Sequence, residues 1–231
     1  IFYDNIMMGI QLLHEAKNSN VEKFITLGTV CSYPKFTPIP FSENEIWNGF
    51  PDESNAPYGI SKKIMLVQSD AYHRQYGFNS ISVIPTNLYG PEDDFNIETA
   101  NVIPGIILKI SNAVKTDSKE VVLWGDGSAT RDFLFVNDAA DGIILAAQKY
   151  DNVSPINLGA QKETSIKELA TLIAEIMKFS GDITWDDTKA NGQPRRCVSN
   201  YKAEKEIGFK PKISLRDGLT KVISWFDSNY S

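Results

Sequence analysis

Only two of the 231 residues are cysteines, Cys31 and Cys197, and only two are histidines, His14 and His73. Two cysteines cannot build a disulfide framework, so a reducing, cytoplasmic compartment is expected. Both histidines fall in helix-like sequence and read as surface or packing residues; no metal site is expected. No apolar run reaches 18 residues, which excludes an obvious membrane-spanning helix. Basic residues are outnumbered, 23 against 29 acidic, giving a net charge of −6 and a pI near 5.0. That balance argues against nucleic acid and membrane surfaces as partners. A glycine-rich phosphate loop is also missing. The dinucleotide fingerprint sets three close glycines between a strand and a helix, whereas "WGDG" (124–127) has two and runs into a strand. The chain opens on "IFYDNIMMGIQLLHEAK", helix-like from its first residue and without an initiator Met or signal-peptide pattern. The expectation is a fragment whose preceding portion carries the glycine loop.

What is present looks globular: 42% hydrophobic and 23% charged residues, on a chain long enough for one large domain or two small ones. Ile6, Ile10, Leu13 and Ala16 follow helical spacing. "KFITLG" (23–28) reads as a buried parallel strand, and a polar, Pro-rich stretch follows over 33–57. A helix is predicted over 58–76 with Gly77 as its stop, then a strand in "NSISVIP" and a turn-rich exit in "TNLYGP". Further on, "VIPGIILKISNAV" reads as a helix, "VVLWGDG" as strand and turn, and "RDFLFVNDAADGIILAAQKY" as a strand entering a helix capped at Asn137 or Asp138. "PINLG" is another strand. Ser165 with Glu168 forms a capping-box pattern, and Ser214 with Asp217 marks the last helix more loosely. This alternation predicts an α/β fold, a doubly wound parallel sheet with ligands at the carboxyl ends of its strands.

Tyr58 and Lys62 are four residues apart at the start of a predicted helix, hence on one face. A phenol near pKa 10 is a poor acid-base group at neutrality unless a neighbouring ammonium favours its ionised form. Such a pair can give a proton to a carbonyl oxygen as hydride arrives, or sit on a solvated helix face. Thr29, after the preceding strand, and "NLYGP", after the following one, place polar groups at the strand ends where a parallel sheet puts its site. Cys31 reads either as a base for a carbon acid or as a small buried hydrophobe.

The segments "LGTVCSYPK", "APYGISKK", "YGFNSISVIPTNLYGPEDDF", "NVIPGIILK", "VVLWGDGSATRDFLFVNDAADG" and "DDTKANGQPRR" together resemble the extended short-chain dehydrogenase/reductase family, also called the NAD-dependent epimerase/dehydratase family. The likeness runs from Asn5 to about residue 226 and is strongest to members that epimerise and reduce GDP-4-keto-6-deoxy-D-mannose. It implies an incomplete Rossmann-type sheet, built from 1–87 and 130–159, with a smaller nucleotide-sugar domain from 88–129 and 160–231. It implies NADP(H) as cofactor, with NAD the alternative, a GDP-sugar or other nucleotide-sugar substrate, and a homodimer.

By this resemblance Thr29 orients the substrate carbonyl, Tyr58 donates the proton, Lys62 binds the ribose, and Cys31 takes a proton from sugar carbon. Leu27, Gly28, Thr29, Val30, Tyr58, Lys62, Pro85, Thr86, Asn87, Leu88 and Asn101 would line the cofactor. Asn87, Val102, Lys109, Trp124, Arg131 and Lys189 would hold the nucleotide sugar, with Arg195 and Arg196 adding charge at the rim. Lys109 stands where the family pattern has Arg. Asn101 stands where it has the histidine that reprotonates carbon, and asparagine cannot cycle a proton near neutrality. An NAD-dependent 4-epimerase without a role for Cys31 and a non-catalytic binding or dimer-forming module are the alternatives. A 4,6-dehydratase would need a carboxylate pair after Thr29, and "TVCSY" has none.

Overall fold

The computed structural model describes residues 2–189 and 192–230. Helix α1 (Phe2–Asn18) lies along α2 (Ala56–Tyr76), which ends on Gly77 in the left-handed conformation that glycine adopts without penalty. Between them β1 (Phe24–Leu27) leads through a short 3-10 turn, Val30–Ser32, into the Pro-rich stretch. Strand β2 (Ser80–Pro85) is buried at every residue and pairs in parallel with β1 on one side and β6 (Ile156–Leu158) on the other. Strand β1 is therefore an edge, paired on one side only among the described residues. The opposite edge is closed by side chains: Asn157 N–H donates to Glu43 Oε1 at 2.9 Å, and Asn200 brackets Gly159 through both its amide atoms.

"TNLYGP" is not only a turn. Asn87–Tyr89 forms a short strand, β3, parallel to β5 (Thr130–Phe135). A three-residue strand carries no periodicity to read, and its partner lies more than 40 residues away. Strand β5 continues without a break into α4 (Val136–Lys149), so neither Asn137 nor Asp138 caps that helix. Asp138 instead accepts the backbone N–H groups of Lys212 and Ile213 at 3.0 and 2.9 Å, a long-range tie. The capping box at α5 (Ile166–Ile176) forms as the sequence predicts, with Ser165 and Glu168 exchanging hydrogen bonds.

The second half adds α3 (Val102–Lys115) and β4 (Glu120–Trp124), the latter parallel to β8 (Asp182–Asp186). Strand β5 also takes β7 (Glu163–Ser165) antiparallel and β9 (Arg195–Arg196) parallel. Helices α6 (Tyr201–Ile207) and α7 (Leu215–Tyr230) finish the chain. One apolar core gathers α3, β4, α5 and α7 around Ile107, Ile110, Ile173 and Leu219. A second joins β2, α4, β6 and α6 around Ile81, Ala146 and Ile156. Each fully buried Ile or Leu contributes about 1.5–3 kcal/mol to folding, and together these cores fix the strand ends against one another.

Candidate active site

The turn after β1 and the first turn of α2 are clasped through a glycine. A side chain at Gly59 would run into the Cys31 carbonyl, so the turn can lie directly on the helix backbone only because residue 59 has no Cβ. Ser32 Oγ donates to the Gly59 carbonyl at 2.9 Å and Ser61 Oγ to the Tyr58 carbonyl at 2.8 Å. Thr29 caps the turn, its hydroxyl accepting the Cys31 N–H at 3.2 Å. The clasp sets the Tyr58 hydroxyl within electrostatic reach of Thr29 and Cys31. Lys62 follows one turn further along α2, half-buried.

The sequence expects Lys62 to pull the Tyr58 hydroxyl down. Instead burial pushes it up, the nearby Cys31 adds to that rise, and the Thr29 hydroxyl opposes it. Tyr58 is thus kept in its protonated form, suited to giving a proton. Beside it, the end of β2 is fixed by backbone bonds: Thr86 N–H donates to the Leu158 carbonyl at 2.9 Å. Thr86 Oγ1 and Asn87 Nδ2 both donate to the Asp132 carbonyl, at 3.0 and 2.9 Å. Pro85 and Val30 are buried, Gly28 donates to the Val83 carbonyl at 2.8 Å, and Leu27 and Leu88 stay exposed. Leu27 ends β1 and Leu88 lies just past β2, so each strand's carboxyl end presents an exposed apolar side chain. The described residues include no strand-to-helix glycine loop for the phosphates of a dinucleotide.

A separate cleft of about 300 Å³ opens between α3 and β4, lined by Ile97, Asn101, Val102, Lys109, Leu123 and Trp124. Trp124 is exposed, and Lys109 Nζ stands 5.3 Å from its ring centre while donating to the Val122 carbonyl at 2.8 Å. Asn101 precedes the first turn of α3 without a side-chain cap. Trp124 pairs in register with Asp186, whose carboxyl lies below its ordinary value through Thr188 hydrogen bonds and, more weakly, Lys189 and Lys109. An exposed indole flanked by two lysines can take a planar base and an adjoining phosphate.

From Lys189 the chain passes Gly192, where an added Cβ would sit 3.4 Å from Arg131 Nη2, and enters β9. Arg131 and Arg196 are register partners on β5 and β9. Burial and the Arg196 charge pull the Arg131 guanidinium down to about 10. Arg195 is at the rim as expected, paired with Glu163. Arg196 is not: it is nine-tenths buried, its Nε on Gln193 Oε1 at 2.6 Å and its Nη1 3.5 Å from Cys31 Sγ. Gly59 and Arg196 are the two residues whose roles the sequence conceals. Glycine inside a helix facing a turn is a weak local cue, and Arg196 moves inward only through the pairing of β9 with β5. Both histidines lie on helices, with His14 Nδ1 2.7 Å from the Tyr72 hydroxyl.

The model of the NAD dependent epimerase/dehydratase family matches residues 1–159. GDP-L-fucose synthase 1 of Arabidopsis thaliana is 37% identical over 225 residues, covering 97% of this chain and 69% of that protein. A relative from Oryza sativa is 39% identical over 213 residues, covering 92% of this chain and 65% of its own length. The chain thus spans about two thirds of these relatives. Among solved structures, a GDP-L-fucose synthetase from Naegleria fowleri bound to NADP superposes with a TM-score of 0.91 at 30% identity, covering 98% of this chain and 73% of that one. A GDP-mannoheptose C4 reductase from Campylobacter jejuni with NADP bound gives a TM-score of 0.86 at 27% identity, covering 98% and 74%.

Proposed function

The chain belongs to the NAD dependent epimerase/dehydratase family, and from that premise we propose that it is the catalytic and substrate-binding part of an NADP(H)-dependent epimerase/reductase of GDP-4-keto sugars. The observation that carries the reading is the Gly59 clasp, which joins Thr29, Cys31 and Tyr58 at the carboxyl end of β1. Relatives named for GDP-L-fucose synthesis and for GDP-heptose reduction support the substrate class.

In this reading Leu27, Gly28, Val30 and residues 85–88 seat the nicotinamide end of the cofactor, with Lys62 beside it, while Asn101, which the resemblance puts with them, lines the cleft between α3 and β4. When bound, the cofactor supplies the hydride. Thr29 and Tyr58 hydrogen-bond the sugar C4 oxygen, and Tyr58, held protonated, gives its proton as that oxygen becomes an alkoxide. Cys31 takes the proton of a carbon next to the carbonyl in the epimerising step. Trp124 stacks the base, Lys109 and Lys189 meet the phosphates as point charges, Val102 walls the cleft, and Arg131 offers the diphosphate a guanidinium. Asn87, its amide nitrogen held by the Asp132 carbonyl, lies toward the sugar.

Residues 1–87 with 130–159 then form the dinucleotide part and 88–129 with 160–231 the nucleotide-sugar part, although 203–209 pack on the former. The exposed apolar residues Tyr3, Met7, Met8 and Leu12 of α1 are the proposed homodimer face. A cytoplasmic location accords with two free thiols, one of them at the site.

The test uses the full-length gene product with GDP-, CDP- and dTDP-4-keto sugars, following NADPH oxidation and product stereochemistry together. NADPH oxidation confined to the GDP sugars is expected, and none with any of them sinks the reading. Cys31→Ser is expected to abolish solvent deuterium incorporation into the sugar while changing reduction less than about threefold. The second reading is plain 4-reduction, favoured by Asn101 in place of the histidine. It predicts no deuterium incorporation in the wild type.

A further inference from the structure

Two cations face the Cys31 sulfur. Register pairing of Arg131 with Arg196 on parallel strands sends both side chains to one face of the sheet, while the intervening alternation sends Arg195 to the other, where Glu163 takes it. Among the described residues neither Arg131 nor Arg196 has a carboxylate in ion-pairing range. A guanidinium nine-tenths removed from water is costly, and costlier beside a second one; the Asp52 carboxylate, pulled down chiefly by Ser54, feels the Arg196 charge only as its weakest influence. The group that Arg196 Nη1 reaches is Cys31 Sγ, at 3.5 Å, with Gln193 fixing the far side of the fork. Arg131 and Tyr58 both lie within electrostatic reach of Cys31.

Resting on the epimerase/reductase reading, we propose that Arg196 is the positioning residue of Cys31, setting a guanidinium against its sulfur as Cys31 removes a proton from the sugar carbon adjoining C4. In that step the C–H bond breaks and its proton moves to Sγ. The electron pair enters the bond to C4, and the carbonyl oxygen becomes an enolate held by Thr29 and Tyr58. A water molecule on the opposite face returns a proton to that carbon, leaving hydroxide to be neutralised by solvent, and restores the ketone with inverted configuration. No electrons leave the sugar, and the guanidinium keeps its charge throughout.

Arg196→Gln and Arg196→Lys in the full-length gene product test this by three measurements. These are the rate of iodoacetamide modification at Cys31 read by peptide mass spectrometry, solvent deuterium incorporation into the sugar, and NADPH oxidation. Losing a charge-assisted contact predicts about tenfold slower Cys31 modification and about tenfold slower deuterium incorporation in Arg196→Gln, a larger loss than that in NADPH oxidation. Arg196→Lys is expected to restore most of both, which a purely structural role would not require. Unaltered Cys31 modification in Arg196→Gln overturns the proposal, as does an equal loss in both variants with native circular dichroism. If modification depends on Arg196 but no sugar incorporates deuterium, the pairing stands and the epimerase reading falls.

Discussion

Cys31 and Cys197 lie at opposite ends of the sequence yet meet around one short strand. Arg196 touches the first, and the second is its chain neighbour. Cys31 sits in a partly open turn facing guanidinium groups. Cys197 is buried with its Sγ 3.9 Å from Asp132 Oδ2, and burial, Asp132 and Glu163 push its thiol up to about 12. Asp132 is itself pushed up to about 6 by burial, although backbone N–H groups of Ala160, Val198, Gln161 and Lys162 resist the rise. The same side chain is offered cations in one place and a carboxylate in the other. Reactivity is set by the sign of the neighbouring charge, and residue type alone does not reveal it.

The hardest blow to this contrast is Gly59→Ala. Its methyl would displace the Cys31 carbonyl and open the clasp, costing about 1–3 kcal/mol of stability. A misplaced proton donor and base should lower both reduction and deuterium incorporation about a hundredfold. Denaturant unfolding and paired rate measurements check this, and wild-type rates in a folded variant would refute the clasp. A smaller effect is chemical selectivity. The native protein should take up iodoacetamide at Cys31 alone, with Cys197 modified only after unfolding; equal labelling would erase the distinction.

The smallest effect is on stability. Asp132 has a folded value near 6, above the ordinary carboxyl value of about 3.9. Its contribution is therefore full below about pH 4 and lost as pH rises through about 6, at most about 3 kcal/mol. Thermal melting across that window should slope downward in the wild type and less so in Asp132→Asn. Identical slopes would show that the carboxyl does not titrate there.

Local chemistry was readable wherever it was local. The Ser165–Glu168 box, the Gly77 stop and the "YGISK" face depend on residues within one or two helical turns, and the sequence displays them. The α4 start was misread because Asp138 spends its carboxylate on residues 74 and 75 positions away. Strand β3 and the burial of Arg196 depend on pairing with β5, which no window of sequence contains. The candidate site is divided in the same way. Tyr58 and Lys62 stand out by spacing and Thr29 by its place after a strand, Cys31 is singled out only by the family resemblance, and the cation that faces its sulfur is legible in neither.

Asp138 ties the first turn of α4 to the backbone of Lys212 and Ile213, just ahead of α7. Strand β5 runs straight into α4, so slack introduced at that tie is passed back along the strand that carries Arg131 and pairs with Arg196. One carboxylate outside the candidate site thereby sets the tension on the strand that orders its cations.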